Sequence, residues 1–405
     1  MTLKPIKNIV GQAVHGENFF PRPHEIKKIW DAIDSGSHLL LCAPRRVGKT
    51  SILYHLNDNP SENYCPVYVI TESVNHEDEF YKKLIEAACL SDAMGAFEKA
   101  CYGCSEMIRS LVGKIKKFDV KLVGGLELNP ESIDYKQAFI DLMRSIDLEG
   151  KKALVMVDEF PQTIDNIVNA SDAKTAMKFL QGNREIRQDR TLEQKLQFVY
   201  TGSIGLEGIV SRINAMASIG DLNSVQINPL TREDAKILIA RLLLYYKGLD
   251  ETFLTLLHKK DRVDYLLDRI EWFIPYHIQL LVQELYHYYC DNKPSAISNE
   301  LIDSAFNDML AKRHAFEHWQ SRLRKAFKQD EYRFAEALLN EIAQKTIVVS
   351  HEIVNLASKH NLEHSYKNIV HTLVYDGYIN HNENPQIYRF NSPVLKAWWH
   401  RNVAT

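Results

Sequence analysis

Apolar positions along the chain fall into two regimes. Up to about residue 230, short apolar runs alternate with stretches of helical period. His38 to Cys42, Pro66 to Ile70, Lys151 to Phe160 and Leu196 to Ser203 read as strands, the second and third of them buried, and Val225 to Ile227 reads as a further short strand. Between them, Ile26, Ile29, Trp30 and Ile33 recur at helix spacing, as do Phe139, Leu142, Met143 and Ile146, and Glu77 to Leu90 reads as a further helix. Strands alternating with helices predict a parallel α/β sheet. Residues 91–133 are less regular, with a hairpin strand expected around Gly124-Gly125.

From Thr231 the pattern is helical only. Thr231-Arg232-Glu233-Asp234 is an N-cap signal for a helix over Ala235 to Tyr245. Pro275-Tyr276-His277 opens another, Ile278 to Tyr289, with Leu281, Leu285 and Tyr288 on one face. Past about 328 the pattern changes again. Phe334, Leu338 and Ile342 mark one helix; Ser350 caps a second, through Ile353, Val354 and Ala357; His364 to Tyr375 is a third, stopped by Gly377. Tyr378-Ile379 and Ile387 to Phe390 then pair across a polar turn, and a last helix from Pro393 to Arg401 carries Trp398 and Trp399. Three helices plus a hairpin predict a winged helix. The expected organisation is a core over 1–230, a helical lid over 231–328 and a winged-helix domain over 329–405.

The first strand runs into Ala43-Pro44-Arg45-Arg46-Val47-Gly48-Lys49-Thr50-Ser51, followed by a helical run. Strand, glycine-bearing loop, Lys-Thr and helix form the layout of a phosphate-binding P-loop. Gly48 lets the backbone approach a polyphosphate, whose charge the neighbouring N–H groups and the helix N-terminus then hold. Pro44 to Ser51 are therefore the expected nucleotide-binding residues. Lys49 would reach the β- and γ-phosphates, and Thr50 would ligate Mg2+. Ala43 stands where the usual pattern has its first glycine, so the loop would enter from an ordinary backbone region.

The strand Leu154-Val155-Met156-Val157 ends in Asp158-Glu159, and the carboxyl ends of such strands are where ligands sit in open α/β sheets. Asp158 fits a Mg2+ partner, bound directly or through water. Glu159 fits the base that orients a water for attack on the γ-phosphate. Thr201 or Ser203, ending the next strand, could sense the γ-phosphate by a hydrogen bond. Arg184, Arg187 and Arg190 have two readings: solvated cations near a helix end, or an arginine finger reaching a neighbouring subunit's nucleotide.

Bulk properties add limits. A chain of 405 residues is long enough for two or three domains, and its net charge of −3 gives no global pull towards nucleic acid. No apolar run approaches the roughly 18–20 residues that cross a bilayer, and the N-terminus lacks a secretory apolar core, so a cytoplasmic protein is expected. Cys101-Tyr102-Gly103-Cys104 has C-x-x-C spacing without a second close pair, which favours reduced cysteines over zinc. Lys114, Lys116, Lys117 and Lys121 form a local basic stretch, read as a solvated face rather than a nucleic-acid site.

Together these residues resemble prokaryotic P-loop ATPases of the AAA+/STAND group, often called archaeal-type ATPases. The resemblance rests on Phe-Pro-Arg before the first helix, Pro-Arg-Arg-Val-Gly-Lys-Thr-Ser, Val-Met-Val-Asp-Glu-Phe and Tyr-Thr-Gly-Ser. It extends through Asn-Pro-Leu-Thr and Ile-Pro-Tyr-His-Ile-Gln-Leu-Leu to the ending Tyr-Arg-Phe-Asn-Ser-Pro-Val-Leu-Lys-Ala-Trp-Trp. It implies ATP as the nucleotide, Mg2+, a helical lid and a winged helix, with Lys49, Thr50, Asp158 and Glu159 in the roles above. The lid motif G-x-P maps to Phe273-Ile274-Pro275 and the entry motif G-R-E to Pro21-Arg22-Pro23; these departures touch the adenine side only. The implied function is an ATPase switch that reports nucleotide state to a protein partner or through a homo-oligomer, without a membrane role. The alternative is a DNA-binding winged-helix regulator locked by ATP. The third helix of the last domain offers Lys367, Asn368, His364 and His371, a thin set for reading DNA, so protein contact is favoured.

Overall fold

Four largely apolar strands and one polar edge strand assemble into one parallel sheet. The computed structural model describes residues 3–91, 133–202, 205–246, 260–294, 297–381, 384 and 386–404. The Cys101–Cys104 pair, the basic stretch, the hairpin around Gly124 and Ser203 lie outside the described residues. The chain divides into two compact units, one of Pro21–Ala43 and Lys49–Ile227, the other of Met1–Phe20, Pro44–Gly48 and Asn228–Thr405.

The first unit holds α1 (Pro23–Asp34), β1 (Leu39–Cys42), α2 (Lys49–Asp58), β2 (Tyr64–Ile70), α3 (Glu77–Leu90), α4 (Tyr135–Ser145), β3 (Lys152–Asp158), α5 (Phe160–Ala170), α6 (Ala173–Arg187), β4 (Leu196–Thr201), α7 (Leu206–Arg212) and β5 (Asn223–Gln226). The strand order is β2-β3-β4-β1-β5, all parallel. β1 and β4 are buried along their whole length, as runs covered on both faces must be. The register aligns Leu41 with Thr201 and Ile70 with Asp158, so the carboxyl ends of β1 to β4 share one edge. Side chains cap the helices: Asp134 accepts from Gln137 N–H, and Asp172 from Thr175 N–H. The core is aromatic, with Phe160 and Tyr200 rings 4.4 Å apart and Phe80 edge-on to Phe179 at 5.1 Å.

The second unit holds α8 (Arg232–Tyr245), α9 (Lys260–Ile270), α10 (Pro275–Asn292), α11 (Asn299–Ala311), α12 (Arg313–Ala326) and α13 (Gln329–Lys345), then β6 (Val348–Val349), α14 (Ser350–Lys359), α15 (Tyr366–Tyr375), β7 (Ile379–Asn380), β8 (Ile387–Phe390) and α16 (Pro393–Asn402). Thr231 caps α8 as expected, accepting from Asp234 N–H at 3.1 Å. Ser350 does not cap α14. It is the first helical residue, and the Glu352 carboxylate accepts from Val349 N–H at 3.0 Å instead. The hairpin strands gain a third: β6 pairs antiparallel with β8, which pairs with β7. Trp319, Trp398, Trp399 and Tyr378 fill this end, and the Tyr378 hydroxyl donates to Trp319 O at 2.7 Å. Among the described residues, no helix is long and apolar enough to cross a membrane.

Candidate nucleotide-binding site

The loop after β1 takes its left-handed turns at Arg46 (φ +67°) and Gly48 (φ +106°). Gly48 therefore sits where a side chain would be strained, and a Cβ there would meet open space. Ala43 keeps a negative φ, so the loop enters without its first glycine. Lys49, 8% exposed, opens α2 and donates from Nζ to Ala43 O at 2.7 Å.

The next residue joins two elements. Thr50 Oγ1 donates to Asp158 Oδ2 at 2.8 Å, tying the start of α2 to the end of β3. Tyr68 of β2 donates to the same oxygen at 3.1 Å, and Glu159 N–H donates to Oδ1 at 3.0 Å. Thr71 N–H and Oγ1 hold the Asp158 carbonyl at 3.0 and 3.1 Å. Asp158 is 3% exposed, and this burial pushes its pKa above the usual carboxylate value, while the Thr50 hydrogen bond works against the rise. An ionised carboxylate has about four lone-pair positions. Three are taken, leaving one.

Glu159 stands in a left-handed backbone (φ +60°) as the N-cap residue of α5, yet its carboxylate makes no cap bond to that helix. An acid that merely capped the helix would make one. Strained backbone of this kind concentrates at functional sites. At the end of β4, Thr201 is fully buried and its Oγ1 has no hydrogen-bond partner. A Cβ on Gly202 would lie 2.3 Å from Pro161 Cδ, so that position must stay small.

The three arginines separate. Arg187 is a structural residue: its side chain is 0% exposed and it donates to Asp221, Asn183 and Ser218 O, which corrects its reading as a solvated cation or finger. Arg184 is part-exposed with Asp221 3.8 Å away, and Arg190 is exposed. Arg22 of the entry motif is buried against Glu25 at 3.0 Å. In the mapped lid motif, Phe273 O accepts from Leu230 N–H at 3.0 Å and keeps a negative φ, so no glycine is required there.

In the second unit, Arg46 Nη1 donates to Gly11 O at 2.7 Å and its guanidinium lies 4.9 Å from the centre of the Tyr276 ring. Pro44 packs against the turn after α15: a Cβ on Gly377 would come within 3.1 Å of Pro44 Cβ and 2.9 Å of Trp272. Nearby, burial lowers the pKa of His277 to about 3 and, joined by the charges of Arg45 and Arg46, that of His318 to about 2. Tyr68 and Thr71, which hold Asp158, were not expected from the sequence. For Tyr68 a signal existed, a lone hydroxyl inside the run Pro66-Val67-Tyr68-Val69-Ile70.

Among solved structures, the chain is similar over 98% of its length to 99% of a Walker-type ATPase of Pyrococcus abyssi, with 15% identity and a TM-score of 0.59. It has a P-loop NTPase fold. The same P-loop NTPase likeness extends to the ORC2 protein of Aeropyrum pernix, solved as ADPNP–ADP complexes, over 96% of this chain and 98% of that one, at 11% identity and a TM-score of 0.51. Neither a scan against protein-family models nor a search of curated proteins found a match.

Proposed function

We propose that the chain is a Mg2+-dependent ATPase of the AAA+/STAND kind whose nucleotide state is read by a protein partner or a second copy. The observation that carries this reading is the 2.8 Å hydrogen bond from Thr50 to Asp158 beside a left-handed Glu159. A hydroxyl and a carboxylate held together are the hard oxygen donors that Mg2+ takes, and Asp158 keeps one open acceptor position for a metal-bound water. Bound there, the ion would neutralise phosphate charge. The remaining work falls to the chain. Lys49 turns its ammonium from Ala43 O to the phosphates. The loop from Pro44 to Ser51 offers N–H groups. Glu159 accepts a proton from water, and the unpaired Thr201 hydroxyl donates to the γ-phosphate, a role for which Ser203 is the alternative.

The part from Gln329 onward we read as a winged helix. Lys367, Asn368 and His371 lie on the exposed face of α15, the observation that favours the DNA-binding alternative. One strong cation on that face supplies little phosphate contact, so protein contact is preferred. Steady-state ATP hydrolysis across a protein concentration series, with Lys49→Ala as control, tests the reading. Turnover that vanishes in the variant supports it, and turnover per chain that rises with concentration points to a shared site, with Arg184 and Arg190 as fingers. Absence of ATP binding by the unaltered chain would overturn it.

A further inference from the structure

Resting on that reading, we infer that Tyr68 is a positioning residue: its hydroxyl fixes the rotamer of Asp158 so that the one open acceptor position of the carboxylate faces the metal. Asp158 Oδ2 receives two hydroxyl hydrogen bonds, from Thr50 at 2.8 Å and Tyr68 at 3.1 Å, while Oδ1 receives only Glu159 N–H at 3.0 Å. Torsion about the last bond of an Asp side chain is broad and roughly two-fold. With Thr50 alone on Oδ2 and Glu159 N–H on Oδ1, the carboxylate is held by one donor at each oxygen and keeps some freedom to rock. Two donors on Oδ2, arriving from different elements, α2 and β2, remove it.

The phenol is itself clamped. Tyr54 meets the Tyr68 ring edge-on, with centroids 5.0 Å apart and planes at 73°. Tyr54 lies four residues after Thr50 on α2, so both project from one face of that helix. A ring of contacts results: Thr50 to Asp158, Asp158 to Tyr68, Tyr68 to Tyr54, and back along α2. Any shift of the start of α2 when phosphate arrives is carried to Asp158 at two points. A phenylalanine at 68 would keep the ring packing against Tyr54 and lose the hydroxyl's hydrogen bonds to Asp158 and Tyr54. The hydroxyl meets both Asp158 and the Tyr54 hydroxyl, and Tyr54→Phe, which keeps the Asp158 hydrogen bond, separates the two roles.

Groups that orient a metal's partners typically change metal affinity by 10- to 100-fold when removed. The test is Tyr68→Phe, with binding of a fluorescent ATP analogue measured against Mg2+ concentration and again in EDTA. The half-saturating Mg2+ should rise about tenfold, with affinity in EDTA unchanged. Mn2+ binding followed by electron paramagnetic resonance should weaken in parallel, independently of turnover. Unchanged Mg2+ dependence in the variant would overturn this inference alone. Weaker binding with and without metal would overturn it too, because the phenol would then support the loop rather than orient Asp158. No analogue binding by the unaltered chain would overturn both this inference and the nucleotide reading beneath it.

Discussion

Arg187 and Asp221 are joined by two hydrogen bonds of 2.8 Å, Nε to one carboxylate oxygen and Nη2 to the other. The same guanidinium donates to Asn183 at 2.6 Å and to Ser218 O at 2.7 Å, and Tyr200 donates to Asn183 at 2.7 Å. Four of its five N–H donors are used inside one unit. Arg187→Ala would leave half-buried Asp221 with only Arg184, 3.8 Å away, and strip Asn183 and Ser218 O of a donor, a loss of about 3 kcal/mol. Urea denaturation should show the midpoint falling. A variant of unchanged stability and lost turnover would return Arg187 to the finger candidates.

Glu159→Gln should bind ATP as the unaltered chain does and lose at least 100-fold in turnover, on the order of a missing general base. The amide cannot take the proton. Hydrolysis at the original rate would remove Glu159 from the mechanism.

Gly377→Ala should weaken ATP binding from a distance. The turn has φ +82°, and the new methyl group would press on Pro44 and Trp272. Overpacking costs about 1–3 kcal/mol, part of it absorbed by the phosphate loop. Gly36→Ala is the control, with φ +85° and open space around the added carbon. Calorimetry should find reduced ATP affinity in the first variant and only a lowered melting temperature in the second.

Acid should destabilise the second unit early. His277 is buried, and burial holds its pKa at about 3, whereas an unfolded histidine titrates near 6.5. Below about pH 6.5 the unfolded chain takes up a proton that the folded chain refuses. Stability therefore falls as pH falls, by up to about 1.4 kcal/mol per unit. His318, also lowered, acts in the same direction. His277→Leu should lose about 2 kcal/mol less than the unaltered chain between pH 7 and pH 5. Equal losses would place the acid sensitivity elsewhere.

The phosphate side of the site was legible because its chemistry is local. Gly48, Lys49 and Thr50 adjoin in sequence, and Asp158-Glu159 ends an apolar run. The five parallel strands were legible for the same reason, each being a short run with turn signals at its ends. Tyr68 was hidden because strand register brings it to Asp158, and register is a property of the sheet. β6 was missed since two residues carry no period; it exists only by pairing with β8. Arg187 looked like its neighbours Arg184 and Arg190, and only the position of Asp221 separates it from them.

Pro44, whose neighbours in sequence end the first strand, packs against the turn at Gly377. During synthesis the phosphate loop leaves the ribosome well before the turn that braces it. A growing chain can build much of its sheet while this loop still lacks its brace, since domains form progressively as the chain is made. Nucleotide capture then waits on the Gly377 turn, and ATP follows the folding of the sheet rather than guiding it.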